Sequence, residues 1–288
     1  MKRKKLMEKG MQGVFFISAL ASIIAVALIC IFMFARGVPA IAEIGVFDFL
    51  GGTSWKPTDV PPSFGILPMI VGSLYVTAGA ILVGVPIGLL CAIFMARFCP
   101  AWLYKFLKPM VNLLAGIPSI IYGFFGVVVM VPFVREHIGG PGKSILTASL
   151  LLGIMILPTV IGISESALRA VPDMYYEGSL ALGATHERTC FKVIFPAARS
   201  GVLAAVVLGI GRAIGETMAV IMIAGNQPRL TADILQGIRT MTANIVLEMG
   251  YSEGLHQEAL IATGVVLFVF ILILNFSLSA LQNRKKEA

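Results

Sequence analysis

Between two long apolar segments the chain reads Glu177-Gly178-Ser179-Leu180-Ala181-Leu182-Gly183, and apolar residues close on proline at Val193-Ile194-Phe195-Pro196. An acidic residue, small neighbours and a final glycine predict a short exposed helix that ends in a sharp turn, because glycine adopts turn conformations that other residues avoid. Small side chains also let another protein approach the helix backbone closely. We therefore expect this segment to dock into a cleft of a partner protein. The residues predicted to form the docking surface are Glu177, Gly178, Ser179, Gly183 and Pro196.

The composition of the 288 residues predicts a protein that is embedded in a membrane. Hydrophobic residues make up 58% of the chain, charged residues only 13%, and the mean hydropathy is +0.92. In soluble domains roughly a quarter of the residues are charged, so the excess apolar surface must face lipid. Backbone groups cannot stay unsatisfied in hydrocarbon, which restricts the spanning elements to helices or a closed barrel. Apolar runs of about 20 residues without period-2 alternation select helices, and the predicted fold class is all-α.

The positive charge is distributed as expected for membrane topology rather than for nucleic-acid binding. The net charge is +7, but lysines and arginines occur in short runs that flank apolar spans, which is the positive-inside pattern. The four cysteines show neither disulfide nor zinc-ligand spacing, so no metal site is predicted. The apolar run from Val14 to Ala35 is longer than the 7–15 residues of a typical signal-peptide core, and it predicts an uncleaved first span.

Six membrane spans are predicted, and the charges between them give an orientation. Placing the N-terminus in the cytoplasm assigns 15 lysines and arginines to the inner connections and six to the outer ones. That asymmetry predicts a multi-pass protein of the cell (inner or cytoplasmic) membrane with both termini in the cytoplasm. The predicted spans are residues 13–35, 67–96, 110–134, 145–168, 201–225 and 259–281. The predicted regions are 1–66, with the first helix and an outer loop, 67–282, a transmembrane core containing the cytoplasmic loop 169–200, and 283–288, a cytoplasmic tail.

Two further segments carry structural signals. In the second predicted span Gly79, Gly84, Gly88 and Pro86 indicate either a bend or close helix contacts. The outer connection 226–257 has apolar residues at helical spacing, which predicts an interfacial or re-entrant helix, or a surface helix packed on the outer face. These apolar residues are Leu230, Ile234, Ile238, Met241 and Ile245.

The fifth predicted span carries two charged residues in Gly211-Arg212-Ala213-Ile214-Gly215-Glu216-Thr217. Arg212 and Glu216 are four residues apart, so in a continuous helix they share one face within reach of an ion pair. A charge at mid-membrane costs about 2.5–3.5 kcal/mol on insertion scales and normally faces a cavity or a partner. The two residues form either a structural ion pair or a cationic binding site for an anion, in which Glu216 modulates the binding by Arg212. Gly211 and Gly215 offer a small-residue edge for helix packing.

The third predicted span contains Asn112-Leu113-Leu114-Ala115-Gly116-Ile117-Pro118-Ser119-Ile120-Ile121-Tyr122-Gly123. Pro118 lacks a backbone N–H and disturbs the carbonyl four residues back. Gly116 and Ser119 allow backbone or hydroxyl groups to line a path. The segment is therefore either part of a substrate pathway or an ordinary kinked helix with a small-residue packing face.

These motifs resemble those of a known transporter family. The segment 177–196 is similar to the coupling loop of ABC importer permeases, E-A-A-x-x-x-G followed by I-x-L-P, with mild departures at Gly178, Ser179, Val193 and Phe195. The segments 116–123 and 211–217 resemble the permease subunits of the phosphate-specific ABC importer, within the binding-protein-dependent transport system inner membrane component family. The segment 64–68, which follows Trp55-Lys56-Pro57, is more similar to the PstC-type subunit than to the PstA-type. The resemblance covers residues 47–281.

The resemblance implies the type I ABC importer fold, with a five-helix core and one additional N-terminal helix. It implies a permease subunit, not an enzyme, that forms the membrane pathway for inorganic phosphate by alternating access. The implied partners are a second related permease chain, two copies of a cytoplasmic ABC ATPase, an extracytoplasmic phosphate-binding protein and membrane lipid. No cofactor is expected in this chain, because ATP would bind the ATPase. The implied pathway residues are Gly116, Ser119, Arg212, Glu216 and Thr217.

The sequence leaves alternative functions. A permease for another oxyanion, such as molybdate, tungstate or sulfate, would have the same kind of coupling loop. An ion-coupled secondary carrier or channel would use Arg212 and Glu216 but leave the cytoplasmic loop without a role. A membrane-embedded sensor or scaffold is a third class. Nucleotide binding in this chain is not expected, since His137 stands where the P-loop pattern that ends in Gly142-Lys143-Ser144 requires glycine.

Overall fold

The computed structural model describes the backbone of residues 2–284 and the side chains of residues 11–277. The predicted tail 283–288 and the basic side chains before residue 11 lie outside the described side chains. In chain order the helices are α1 (Lys2–Ile44), α2 (Val46–Gly51), α3 (Leu67–Ile93), α4 (Ala101–Gly116), α5 (Ser119–Phe125), α6 (Val131–His137), α7 (Ile145–Arg169), α8 (Asp173–Ala181), α9 (His186–Thr189), α10 (Phe195–Ala197), α11 (Arg199–Gly215), α12 (Met218–Ile223), α13 (Met241–Glu248) and α14 (Leu255–Arg284).

Short irregular elements complete the chain. Five-residue π-helical turns extend α3 over Phe94–Phe98, join α5 to α6 over Gly126–Met130 and join α9 to α10 over Cys190–Ile194. Two-residue antiparallel strands, β1 (Trp55–Lys56) and β2 (Ser63–Phe64), form a small ribbon in the first outer connection. The described part of the chain is therefore helical apart from this ribbon and the loops, as its composition predicts.

The number of spans matches the six predicted when one bent helix pair is counted as a span, and two of the predicted spans are not continuous helices. Within the described residues five helices are long and apolar enough to cross a membrane, and a sixth span results if the pair His186–Ala197 and Arg199–Gly215, bent by 71°, is counted as one. The predicted third span, 110–134, is wrong as a single helix, because the chain leaves helical geometry at Ile117 and a new helix begins at Ser119. The predicted fifth span, 201–225, is also interrupted, after Gly215.

A glycine seam joins α3 to α7 and forms the centre of the fold. A Cβ atom on Gly84 would lie 2.6 Å from the carbonyl oxygen of Gly153, and a Cβ on Gly79 would lie 2.3 Å from Ser149 Oγ. The two backbones are therefore closer than any larger residue allows, which confirms the predicted close helix contacts. On this pair rest α11 and α4, while α1 packs against α14 through the Phe34 and Phe268 rings, 6.0 Å apart.

A cluster around Glu248 holds the outer connections together. The Glu248 carboxylate accepts hydrogen bonds from Trp55 Nε1 (2.8 Å) and Arg239 (2.5 Å) and lies 2.9 Å from His256 Nε2. Burial by itself raises the pKa of Glu248, but the hydrogen bonds from Trp55, His256 and Arg239 hold the pKa below its usual value. The helix predicted from apolar spacing in 226–257 begins only at Met241, so that Leu230, Ile234 and Ile238 lie outside it, and α14 begins at Leu255.

Candidate functional site

The first break in the membrane helices is built around Pro118. Helical geometry would direct the N–H of residue 118 to the carbonyl of Leu114, but proline has no N–H. The Tyr122 hydroxyl donates to Leu114 O instead, at 2.9 Å, and the Ile117 N–H donates to the same oxygen at 3.4 Å. Ile117 is extended, with ψ 125°, as expected for a residue that precedes proline. The break is therefore a stable feature with its freed carbonyl paired.

The second break follows Gly215 and has no proline. Glu216 is extended, with ψ 134°, and its carboxylate accepts a hydrogen bond from the Ala219 N–H (3.3 Å) at the start of α12. The Glu216 carbonyl accepts from the Thr242 hydroxyl at 3.0 Å, which ties α13 to the break. Backbone and side-chain groups around residue 216 are thus satisfied within the protein, as the membrane interior requires.

The break overturns the predicted ion pair. In a continuous helix Arg212 and Glu216 would share one face, but the chain leaves helical geometry at Glu216 and the four-residue register is lost. Among the described side chains Arg212 forms no ion pair with Glu216 or with any other carboxylate. The Arg212 guanidinium instead lies 3.4 Å from the Thr159 hydroxyl of α7.

Arg212 lies near the middle of the membrane. Its partner Thr159 is 14 residues from the start of α7 and 10 from its end, or roughly 21 Å and 15 Å at the rise of an α-helix. The hydrocarbon core of a bilayer is about 30 Å thick. A half-buried guanidinium without a carboxylate partner at this depth is electrostatically uncompensated within the described part of the chain. An anion is the ligand that would compensate it.

The helices that follow the two breaks pack against each other. A Cβ atom on Gly123 of α5 would lie 3.0 Å from Ala219 Cα and 2.7 Å from Met222 Sδ, both in α12. Gly126 makes a similar approach to Ile223. Because α5 and α12 are in such close contact, the structure brings the breaks at Pro118 and Glu216 into one region.

The other predicted pathway residues lie around these breaks. Gly116 is exposed, with open space where a side chain would be, and Ser119 is half-buried without a hydrogen-bond partner among the described residues. Thr217 donates to Gly215 O at 3.2 Å. The predicted packing edge of Gly211 and Gly215 contacts no other helix, since nothing in the described chain lies within 4 Å of a Cβ built on either.

The segment 173–197 forms an exposed platform beyond the end of α7. The predicted short helix is present as α8, and Gly183 follows it with φ +84°, a conformation that favours glycine. Glu177 and Gly178 are exposed, as is Pro196 at the bend before α11. Ser179 differs from expectation, because it is half-buried and its hydroxyl lies 2.9 Å from Thr189 Oγ1. Its small size serves packing of α8 within the protein.

Charged and aromatic groups attach this platform to the membrane helices. Arg97 pairs with Asp173 at 3.5 Å and donates to Leu168 O at 3.0 Å, which links α3, α7 and α8. His186 is half-buried. Its Nδ1 lies 2.7 Å from the Tyr176 hydroxyl, and its ring centroid lies 4.6 Å from that of Phe98.

A buried carboxylate anchors the adjoining end of α7. Glu165 lies one turn before Arg169, and its side chain is only 2% exposed. It contacts both Lys108 and Arg169 and accepts from the Tyr104 hydroxyl at 2.9 Å. Arg169 also donates to Met95 O at 2.7 Å. Lys108 and Tyr104 come from α4, so sequence spacing along α7 gave no signal for them.

Two interrupted apolar helices, a guanidinium that pairs with no carboxylate of the described chain and an exposed short helix beyond the end of α7 fit one class of protein, the membrane-spanning subunit of an ABC importer. The chain covers 95% of a solved permease chain described as "Inward facing conformations of the MetNI methionine ABC transporter", with a TM-score of 0.63 and 21% identity over 76% of this chain. A bacterial ABC transporter involved in the import of the acidic polysaccharide alginate matches 92% of this chain and 95% of that one, with a TM-score of 0.58 and 15% identity. These likenesses show the type I importer fold.

The chain belongs to the family described as "Binding-protein-dependent transport system inner membrane component", which matches residues 84–287. It is 40% identical over 277 residues to the "Probable ABC transporter permease protein YqgH" of Bacillus subtilis, covering 93% of this chain and 88% of that protein. It is 34% identical over 278 residues to the "Phosphate transport system permease protein PstC" of Mesorhizobium japonicum, covering 89% and 84%. The PstC protein of Haemophilus influenzae is 36% identical over 251 residues, or 79% of each chain. The protein is thus an integral membrane permease. Permeases of this family work with an ATPase and a substrate-binding protein.

Proposed function

We propose that this chain is a permease subunit of an ATP-driven phosphate importer. The observation that carries the proposal is Arg212, a half-buried guanidinium near mid-membrane that bonds to Thr159 and pairs with no carboxylate of the described chain. A guanidinium presents a planar set of donors that matches two oxygens of a phosphate. The names of the relatives, phosphate transport permeases among them, support the same substrate.

The remaining pathway residues have distinct proposed roles. Gly116 and Ser119 leave open space and an unused hydroxyl beside the break at Pro118. Glu216 stabilises the start of α12 and Thr217 bonds to the last carbonyl of α11, so neither side chain neutralises Arg212. The anion would therefore meet one positive charge from this chain, near the region where the two broken helices meet.

We infer the partners of this chain from the α8 platform, from the region around Arg212 and from the family. A second related permease would complete the pathway beside Arg212, and an external phosphate-binding protein would deliver the anion. Two copies of an ATPase would bind ATP and dock on the α8 platforms, so this chain needs no cofactor and catalyses no reaction. With the platform and both termini in the cytoplasm, the lysines and arginines obey the positive-inside rule. Alternating access would result when the ATPases move the platforms.

Substitution of Arg212 tests the proposal. Arg212→Gln should abolish phosphate uptake by reconstituted vesicles, while the permease still assembles with its partners. Arg212→Lys should also transport poorly, because an ammonium does not reproduce two parallel hydrogen bonds. Glu216→Gln should keep much of the uptake, since an amide oxygen can still accept from Ala219 N–H. Arg199→Gln, at an exposed position, is the matched control. Normal phosphate uptake by Arg212→Gln would refute the role of Arg212.

A second candidate is import of another oxyanion, since a lone guanidinium fits any tetrahedral anion with paired oxygens. Competition separates the two. If phosphate is the substrate, excess molybdate, tungstate or sulfate should leave uptake of labelled phosphate by the reconstituted complex nearly unchanged. Strong inhibition by one of them, together with its own ATP-dependent uptake, would assign the importer to that anion.

A further inference from the structure

An apolar crevice opens between α3 and α7 at the end of α7 that is remote from the α8 platform. Its volume is about 440 Å³, and the outer loop closes it from above through Ala232 and Ile234. Its side walls are formed by Ala78 and Leu82 of α3 and by Leu146 and Leu150 of α7. Tyr75 lies at the rim. No function described so far uses this crevice.

The crevice lies at the depth of the lipid ester groups. Leu150 is 19 residues from the platform end of α7, or roughly 28 Å along the helix. That distance is close to the full thickness of the hydrocarbon core, about 30 Å, beyond which the headgroup region begins. Tyr75, with no hydrogen bond from its hydroxyl within the described chain, fits the interfacial position that tyrosine prefers.

The crevice also faces away from Arg212. Leu150 and Thr159 are nine residues apart on α7, which is roughly two and a half turns, so they point to opposite sides of the helix. On α3 the same side carries Leu82, which is 76% exposed at the wall of the crevice, and, further along the helix, Leu90, which is 62% exposed. An apolar helix face that is continuous along α3 and turned away from the central guanidinium is a surface for bilayer lipid.

One polar side chain lies inside the crevice. Ser149 is 6% exposed and lines the cavity, and its hydroxyl lies against Gly79. Among the described residues this hydroxyl forms no hydrogen bond. A buried donor in an apolar membrane site costs free energy unless a ligand accepts from it. The site therefore suits a molecule with apolar chains and a hydrogen-bond acceptor at this depth.

We propose that the crevice binds a phospholipid of the leaflet opposite the α8 platform. The first methylene groups of an acyl chain pack between α3 and α7, and Ser149 donates to the ester carbonyl. This site goes beyond the proposed transport function and does not depend on the nature of the transported anion. Gly79 is needed for it, because a side chain there would displace the Ser149 hydroxyl from its position.

Photolabelling of the complete permease complex tests the proposal. The complex is reconstituted in vesicles of phosphatidylethanolamine and phosphatidylglycerol that contain a trace of phospholipid with a diazirine beside the ester carbonyl. Adducts should concentrate on Leu82 and Leu150. Ala78→Phe should fill the crevice and lower this labelling about fivefold, whereas Leu90→Phe, on the same face outside the crevice, should leave it unchanged. Equal labelling in Ala78→Phe would mean that only general bilayer contact occurs, and it would overturn the proposal.

A second measurement uses the unaltered cavity. Unlabelled ester phospholipid should compete about threefold better than its ether-linked analogue in the wild type, because only the ester offers a carbonyl acceptor. Ser149→Ala should remove this difference without removing the labelling. No preference for the ester in the wild type would refute the role of Ser149. Absence of lipid adducts, with the crevice cross-linked to the second permease instead, would show that a protein covers it.

Discussion

Pro118 and Tyr122 form a complementary pair at the residue scale. One lacks the N–H that would satisfy Leu114 O, and the other supplies a hydroxyl at 2.9 Å in its place. The Ile117 N–H also donates to this carbonyl, at the longer distance of 3.4 Å. In the membrane interior a poorly paired carbonyl is costly, so the shorter bond from the Tyr122 hydroxyl helps to stabilise the break.

We expect Tyr122→Phe to destabilise the permease by roughly 0.5–1.5 kcal/mol, the net loss of one hydrogen bond, because the Leu114 carbonyl keeps only the longer bond from the Ile117 N–H. Thermal unfolding of the purified complex would show a lower Tm, and phosphate uptake should fall with it. Tyr251→Phe, which removes an exposed hydroxyl with no partner in the described chain, is the matched control. Equal Tm values for the two variants would contradict the role assigned to Tyr122.

The residues of the site differ in how far the sequence could identify them. The break at Pro118 is visible in the sequence because the chemistry of proline is local. The break at Glu216 is not, since no proline marks it and its carbonyl is satisfied by Thr242 from a distant helix. Thr159 was missed for the same reason, as it lies 53 residues from Arg212 and threonine is common in membrane helices. The charge of Arg212 makes it a candidate, and its role at an anion site stays a prediction, whereas the four-residue spacing was a poor guide to its partner.

At the scale of the element, α8 and the turn at Gly183 are the features that the sequence identified best. Both depend on local propensities, an exposed short helix and a glycine at positive φ. What the sequence did not reveal is the attachment of the platform, because Arg97, Tyr176 and His186 meet only after folding. The glycine seam between α3 and α7 was visible as small residues, but only the structure shows which helix it contacts.

Gly183→Ala should strain the turn after α8 by roughly 1–2 kcal/mol, because a Cβ disfavours positive φ. ATPase bound to the purified permease should decrease, and transport-coupled ATP hydrolysis should fall, while phosphate recognition by the external binding protein stays normal. Gly139→Ala is the matched control, since Gly139 also has a positive φ, +112°, with nothing in the described chain within 4 Å of a Cβ placed there, and it lies outside the platform. Unchanged ATPase binding and coupling in Gly183→Ala would argue against docking at this platform.

At the scale of the whole molecule, Glu248 connects three segments that are far apart in the chain. Trp55 comes from the first outer connection, Arg239 precedes α13, and His256 begins α14. Because α13 also donates from Thr242 to the Glu216 carbonyl, the outer cluster is continuous with the second break. Apolar spacing predicts a helix on this side of the protein, within 226–257, but not the contacts of Glu248, because the pairing of buried polar groups between distant segments has no periodic signal.

The stability of this outer cluster should depend on pH. The pKa of Glu248 is lowered in the folded protein, so its contribution to the free energy of unfolding is present above the unfolded pKa, about 4.3. The contribution is lost as the pH falls through the lower folded-state pKa. Glu248→Gln should therefore lower Tm at pH 7 and reduce the loss of Tm between pH 5 and pH 3. Glu253→Gln, at an exposed carboxylate, should keep the wild-type slope. An identical slope in Glu248→Gln would contradict this assignment.

The seam at Gly84 and Gly153 restricts how the molecule can change shape. Two backbones in direct contact cannot slide without opening voids, so α3 and α7 behave as one rigid body. This body carries Thr159 at mid-membrane and Arg169 beside the α8 platform. We expect motion between the platform and Arg212 to occur at hinges outside it, where the chain leaves helical geometry at Ile117 and Glu216 and bends by 71° at Ala198. Under the proposed alternating access, opening to one side of the membrane or the other would be a rotation about these three points.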